Sequence, residues 1–339
     1  MRAAMCRNYG PPEIVEVEEV DPPEILAGQV RVRIEAAAVN FPDVLLIADR
    51  YQMSVPTPFV PGSEFAGTVA EVGNGVTAVA AGDRVLGTTL VGAFAEEVVV
   101  SADSLDPIPA GVAFDVAAAF GVAHRTAYHV LRSVARLQPG EELVVLGAGG
   151  GVGLAAVQLG AELGATVTAV ASSEEKRAVA AARGARRVMG ARGPELREAL
   201  RAELPDGADV VIDPVGGDLA EPALRSLRWG GRFVTVGYAS GEIPRIPLNL
   251  VLLKGIQILG FQFIDFATRA SDEFRRNEGE LRELLVAGRA VPYIGARFDL
   301  AETAAALRLV ADGKAIGKVV LATGNEGFWQ SKRAHARHE

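Results

Sequence analysis

From 143 to 177 the chain reads LVVLGAGGGVGLAAVQLGAELGATVTAVASSEEKR, and Gly147, Gly150 and Gly153 stand there at a G-x-x-G-x-x-G spacing, with further glycines at Gly149 and Gly151. Glycines placed where a strand meets a helix permit a tight turn. They also let the backbone come close to a pyrophosphate, whose charge is favoured by the free N–H groups of the helix N-terminus. The end of the next strand selects between the nicotinamide cofactors. An acid there holds the ribose 2′-hydroxyl, whereas hydroxyls and cations accept a 2′-phosphate. The chain has Ala171-Ser172-Ser173-Glu174-Glu175-Lys176-Arg177 at that point. Ser172 is read either as a phosphate contact or as a helix N-cap paired with Glu175. Lys176 and Arg177 in a first helical turn oppose the macrodipole unless an anion sits nearby. NADPH is therefore the expected dinucleotide, with Glu174 and Glu175 counting against it.

Metal-ligating chemistry finds little support in the same sequence. Cys6 is the single cysteine, so an internal disulfide and a four-cysteine zinc site are both excluded. His124 and His129 are five apart, and His335 and His338 lie in the last residues, so none makes a helical i, i+4 ligand pair. With 42 acidic against 34 basic residues the net charge is −8, a field that repels nucleic acid and anionic membranes. No apolar run reaches the ~18 residues of a spanning helix. The opening MRAAMCRNYGPP lacks a signal-type apolar stretch, so the expectation is a cytoplasmic protein whose fold begins with its sequence.

The elements that must position these residues form two textures. From 1 to about 110, short β-rich runs (VRVRIEAAAV, GTVAEVG, DRVLG, AEEVVV) are separated by Gly, Pro, Asn and Asp, which suggests a barrel or sandwich. After Pro139-Gly140, strand-like LVVLG, TVTAVAS, DVVID and RFVTVG alternate with Ala-rich helix-length segments, the pattern of a parallel sheet wrapped by helices. The unit of strand 143–146, glycine turn 147–153, helix 154–163 and strand 166–171 has the size of a mononucleotide-binding half. An edge strand is expected at 256–261, helices at 278–287 and 301–311, and a strand at 316–321, followed by a polar tail.

Several ordered motifs then resemble the zinc-independent, zeta-crystallin-like quinone oxidoreductase branch of the medium-chain dehydrogenase/reductase superfamily. They are Asn40-Phe41-Pro42-Asp43, Pro61-Gly62-Ser63-Glu64-Phe65-Ala66-Gly67, Thr126-Ala127-Tyr128, Gly147 to Gly153, Asp213-Pro214-Val215-Gly216-Gly217 and Gly237-Tyr238-Ala239-Ser240-Gly241. The resemblance implies an α/β fold: a GroES-like β-rich catalytic domain plus a Rossmann doubly wound parallel sheet, with a cleft between them and a homodimer joined through the Rossmann sheets. It divides the chain into 1–122, 123–262, a return at 263–323 and a tail at 324–339. Zinc-dependent relatives carry a histidine ligand between the glycine and glutamate of Gly62-Ser63-Glu64; serine stands there in this chain.

By position, the resemblance implies that Thr126, Gly150, Gly151, Val152, Ser172 and Lys176 contact the dinucleotide, with Gly237 and Tyr238 close by and Phe261 and Phe263 near the nicotinamide end. Ala191 replaces a tyrosine that relatives place near the adenosine phosphate, and Arg192 is the candidate substitute. Asn40, Asp43 and Tyr51 fall on the motif bordering substrate and nicotinamide. A scaffold reading stands beside this one: Pro42 favours a helix start, Asp43 suits its first turn, and Asn40 can cap. Leu45 stands where some relatives have a second tyrosine.

A quinone accepts hydride into a delocalised ring and needs little acid catalysis, so a metal-free site can work by orientation. Enones and enoyl thioesters follow the same logic, and no general acid is named from the sequence. Surface arginines Arg269, Arg275 and Arg276 hint at anionic substrates. A cofactor-binding protein with a structural or regulatory task is the alternative of another class. The apolar stretch 255–261 is an edge strand that a second copy would cover.

Overall fold

Alternation of apolar and charged residues makes the first strands. β1 (Arg2–Cys6) and β2 (Val15–Glu19) pair antiparallel. β3 (Gln29–Val39) buries Val30, Val32 and Ile34 on one side, then changes to Ala36, Ala37 and Ala38, all fully buried. The alanines are small because both faces are covered there. Ala37 joins a core with Ile34, Phe65 and Phe94, while Ala36 and Ala38 pack with Ala117 to Ala119 around the helix Phe114–Ala118. β4 (Glu64–Val72), β5 (Arg84–Thr88), β6 (Glu97–Ser101) and β7 (Leu105–Pro107) complete this stretch.

The next strands lack alternation. β8 (Glu142–Leu146), β9 (Thr166–Ala171), β10 (Arg187–Gly190), β11 (Ala208–Asp213), β12 (Leu227–Thr235) and β13 (Gln257–Gly260) form a parallel sheet in the order β10-β9-β8-β11-β12-β13. Near-continuous apolar runs such as LVVL and ADVVID are buried on both faces because crossover helices cover them. Leu146, Val170, Leu200, Leu224 and Phe233 share one core cluster.

The chain then returns with β14 (Ile294–Asp299) and β15 (Lys318–Ala322). These extend the first sheet to the order β14-β15-β3-β4-β5-β7, with β6 also on β3. In this register Val319 lies opposite Val39, and Ala38 opposite Glu64. The end of β3, the start of β4 and the start of β15 are thus neighbours.

The computed structural model describes residues 1–190 and 193–324. It divides into two compact units, one made of Met1–Val122 with the residues from Ile294 on, the other of Ala123–Tyr293. Residues 263–293, which the sequence reading assigned to the return, pack with the parallel sheet instead. Their helix Ser271–Val286 lies on the helix Ala123–His129, to which His129, Ser133 and Asn277 bind it. The first crossover helix begins at Gly151, earlier than 154, because the last glycines of the turn are already helical. Ala191, Arg192 and the tail beyond 324 lie outside the described residues. Among the described residues no helix is long and apolar enough to cross a membrane.

Candidate active site

In the parallel-sheet unit, β8 ends on Leu146 and the chain turns at Gly147 with φ +59°. The Gly150 N–H donates to the Gly147 carbonyl at 2.9 Å, and Gly150 then caps the helix Gly151–Glu162, whose first ladder bond runs from the Leu154 N–H to the Gly150 carbonyl at 2.8 Å. The N–H groups of Gly151, Val152 and Gly153 therefore have no acceptor within the helix. A β-carbon on Gly153 would lie 2.2 Å from the Gly147 oxygen, so the turn closes only with glycine there. On Gly150 it would meet nothing nearer than that same oxygen at 3.5 Å, which leaves space before the amides. This is a cradle of donors at a positive helix end, and it fits a dinucleotide pyrophosphate.

Lys176 reaches the same turn. A β-carbon on Gly149 would come within 2.5 Å of the Lys176 side chain, so the lysine stem lies across the glycines. Burial lowers its ammonium pKa. The helix Glu174–Ala182 is capped by Ser173, whose hydroxyl accepts the Lys176 N–H at 3.2 Å. The capping role considered for Ser172 thus belongs to its neighbour, and Ser172 stands exposed at the end of β9. Arg177 turns back to the Ala171 carbonyl at 3.2 Å.

The loop at the carboxyl end of β11 meets the glycine turn, and the loop after β12 packs on that loop, at the edge where open parallel sheets bind ligands. Val215 packs on Gly147, and the Tyr238 ring packs on Gly216. The N–H groups of Ala239 and Ser240 bond the carbonyls of Pro214 and Val215. Asp213 holds this junction. Its Oδ1 accepts the N–H groups of Val215 and Gly216, each at 2.8 Å, while Oδ2 is buried without a partner. Burial raises its pKa against those two bonds. Asp213 opens the motif Asp213-Pro214-Val215-Gly216-Gly217, and its hold on the following turn becomes visible only in three dimensions.

Thr126 is buried in the helix Ala123–His129. Phe261 and Phe263 belong to an aromatic cluster that includes Phe266 and Phe274 and surrounds the His129 imidazole, with ring centroids 4.7 to 6.3 Å from it. Asn277 Nδ2 donates to His129 Nδ1 at 3.1 Å, which leaves Nε2 to donate to Glu278 at 2.8 Å. Arg125 lies 2.8 Å from the other Glu278 oxygen. Burial pushes the Glu278 pKa up, but His129 and Arg125 together hold it below the usual carboxylate value. The FQFIDF spacing was the available signal for this cluster. Arg269, Arg275 and Arg276 are each paired with an acid on their own helix, so they do not present free positive charge.

In the β-rich unit the end of β3 delivers Asn40 and Asp43. Asp43 Oδ2 accepts the Asn40 backbone N–H at 2.7 Å, which closes the first turn of the helix Phe41–Ile47. The Asn40 amide points elsewhere. Its oxygen accepts from Lys318 Nζ at 2.5 Å, and its nitrogen donates to Glu64 Oε1 at 2.9 Å and, more weakly, to Ser63 Oγ at 3.4 Å. Lys318 also donates to Glu64 Oε1, and the other Glu64 oxygen accepts the Val122 N–H at 2.7 Å. Lys318 is 3% exposed, and Glu64 and Asp43 are fully buried. The scaffold reading of Asp43 thus has a visible basis, and Lys318 and Glu64 are members that sequence reasoning missed. Tyr51 lies partly exposed beyond the helix, and among the described residues no hydrogen bond joins it to this network. His124 is buried beside Gln158. Among the described residues no group of three or more His, Cys, Asp or Glu side chains converges as a metal site.

Comparison with known proteins agrees with this architecture. Residues 26–110 match the alcohol dehydrogenase GroES-like domain, and 151–278 match the model described as zinc-binding dehydrogenase. Quinone oxidoreductase-like protein 2 of Bos taurus is 37% identical over 94% of this chain and 92% of its own length. The quinone oxidoreductase of Thermus thermophilus, solved also as its complex with NADPH, is 33% identical with a TM-score of 0.83, covering 95% of this chain and 100% of that one. A segment of polyketide synthase GfsB from Streptomyces halstedii is 36% identical over 87% of this chain and 5% of that protein. With its GroES-like sheet, its dinucleotide-type glycine turn and these relatives together, the chain belongs to the quinone oxidoreductase-like family of the medium-chain dehydrogenase/reductase superfamily.

Proposed function

We propose that this protein transfers hydride from NADPH to a quinone or a similar conjugated carbonyl acceptor without a bound metal. The observation that carries the reading is the glycine turn crossed by Lys176: unpaired helix amides face a space left open at Gly150, with a cation and the exposed Ser172 beside them. When bound, the dinucleotide supplies the hydride. The amides of Gly151 and Val152 hold its diphosphate, and Ser172 and Lys176 hold the 2′-phosphate. Thr126, Gly237, Tyr238, Phe261 and Phe263 line its path towards the nicotinamide.

On the β-rich unit, Asn40 and Tyr51 orient the acceptor, and the buried Asp43 positions Asn40 by accepting its backbone N–H. Zinc has no role in this reading, since serine stands at 63, where zinc-dependent relatives carry a histidine ligand. The similarity to the polyketide synthase segment favours an enone or enoyl-thioester acceptor as the second reading. Both need the same electron-poor carbon beside a conjugated oxygen.

A homodimer is part of the proposal. Trp229, Leu252 and Leu253 are 79%, 82% and 71% exposed near the outer strand β13, whose free edge offers unpaired backbone groups. The test is NADPH oxidation followed by absorbance against matched quinone, enone and enoyl-thioester panels, before and after exhaustive chelation. Turnover that survives chelation is expected. Cofactor binding with no turnover on any panel, or activity restored only by zinc, would overturn it.

A further inference from the structure

Every polar atom of Asn40 has a partner. Asp43 holds the backbone at both ends: its Oδ2 accepts the Asn40 N–H at 2.7 Å, and its own N–H donates to the Asn40 carbonyl at 3.1 Å. The side-chain amide lies against an ion pair. Lys318 Nζ is 2.5 Å from one amide atom, and Glu64 Oε1 is 2.9 Å from the other. An ammonium only donates and a carboxylate only accepts, so the amide has one allowed orientation, oxygen towards Lys318 and nitrogen towards Glu64. Glu64 is itself kept from turning, because Oε2 accepts the Val122 N–H at 2.7 Å while Oε1 also accepts from Lys318.

The amide nitrogen carries two hydrogens, and Glu64 takes one. The other faces only the Ala38 carbonyl and the Ser63 hydroxyl oxygen, both at 3.4 Å. Those distances exceed the usual N–H···O range of roughly 2.7–3.2 Å, so this hydrogen is under-used. Ser63 is partly exposed, whereas Asp43, Glu64 and Lys318 are buried, which puts the spare donor on the side of the network nearer solvent.

We infer that Lys318 is the positioning residue of the acceptor site, locking the Asn40 amide so that it meets the acceptor as an N–H donor. This rests on the hydride-transfer reading above. An amide free to turn would present its oxygen as often as its nitrogen, and the oxygen repels a carbonyl acceptor. The Lys318 ammonium also draws electron density from the amide oxygen, which strengthens the N–H at the other end as a donor. Hydride addition places an electron pair on the conjugated oxygen of the acceptor. A donor already aimed at that oxygen gains more in the transition state than in the bound ground state. Lys318 acts only through Asn40.

The test uses the full-length protein and NADPH, with menadione as acceptor, or cyclohexenone where menadione does not turn over. The double variant Glu64→Leu/Lys318→Met removes both groups that set the amide and strands no charge. It should lower kcat about tenfold or more, on the scale of a lost oxyanion donor, with kcat falling further than KM rises and NADPH affinity unchanged. Asn40→Ala should lower kcat by a similar factor. Adding it to the double variant should cost little more, because residues that act as a unit are not additive. A lysine that served only the fold would give factors that multiply. A second measurement needs no variant to fold: with NADP+ bound, so that no turnover occurs, the wild-type Asn40 side-chain amide protons should exchange slowly with solvent, and one should shift in the NMR spectrum when the acceptor is added. Wild-type kcat in the double variant, multiplying losses on adding Asn40→Ala, or an Asn40 amide signal that the acceptor leaves unmoved would overturn the positioning role and leave hydride transfer standing. Failure of the wild-type protein to oxidise NADPH with any acceptor would remove both.

Discussion

Glu64 and Lys318 are 254 positions apart in sequence, and their charges meet in the interior of the β-rich unit, both side chains almost wholly withdrawn from solvent. Strand register brings them together: β4 and β15 flank β3, and the Asn40 amide at the end of β3 bridges them. A buried pair gains little over an apolar pair, but removing one partner strands the other charge. Lys318→Met and Glu64→Leu should therefore each cost roughly 3–5 kcal/mol, whereas the double variant Glu64→Leu/Lys318→Met should recover most of the loss. Urea unfolding of the four proteins is the measurement. Additive losses in the double variant would mean that the two charges act separately.

The glycine turn separates folding from binding at two nearby positions. Gly153→Ala drives a methyl group to 2.2 Å from the Gly147 oxygen and should lower stability by about 1–3 kcal/mol. Gly150→Ala meets only an ordinary contact at 3.5 Å, so its melting temperature should stay close to wild type. Its methyl group would stand before the helix amides, and NADPH affinity should fall about tenfold or more, a loss of the size expected for charge-assisted hydrogen bonds. Thermal melts and cofactor fluorescence titrations distinguish the two.

Lys176 provides the test of cofactor choice. Its stem is fixed across Gly149, and its ammonium is partly desolvated, which strengthens attraction to a phosphate. Lys176→Ala should weaken NADPH about tenfold and leave NADH nearly unchanged. Equal loss for both cofactors would assign the lysine to packing of the turn.

Local patterns carried more of this architecture than of its site. The change from alternating to continuous apolar strands marked the two sheets, and strand, glycine turn and helix could be read directly from 143 to 163 because the whole unit is contiguous. Ser173 displaced Ser172 as the cap, since two adjacent serines offer the same chemistry and only backbone geometry chooses. The network around Asn40 was less legible. Lys318 and Glu64 are joined by register between distant strands, and nothing in GKVVL or GSEFAG shows which lysine is buried. Residues 263–293 were misplaced for a related reason: the helix Ser271–Val286 is strongly charged on its outer side, and its attachment through Asn277 and Glu278 to His129 is visible only in three dimensions.

The outer edge of β13 yields a prediction about assembly. Leu252 and Leu253 lie in the last turn of the helix Asn249–Lys254 that precedes this strand, and Trp229 packs over Gly255, which follows it. A charge placed there would have to be buried on association. Leu252→Asp should give a monomer in sedimentation at concentrations where the wild-type protein is dimeric, with little change in melting temperature measured on the dilute monomer. A wild-type monomer at working concentration would place the exposed leucines outside any self-interface.

Asp43 also links stability to pH. Its folded pKa of about 7 lies above its ordinary value of 3.8, so the folded protein keeps a proton that the unfolded chain releases. The stabilising contribution is then fully present below the unfolded value and is lost as pH rises through the folded one. Between pH 4 and 7 the slope approaches about 1.4 kcal/mol per pH unit, a total of about 4 kcal/mol across the window. Asp43→Asn removes the titration while its amide oxygen still accepts the Asn40 N–H. The wild-type protein should therefore lose stability relative to this variant from pH 5 to 7, and the difference should level off above pH 8. Denaturant unfolding of both proteins across that range provides the measurement, and parallel curves would show that Asp43 is ionised in the folded protein throughout.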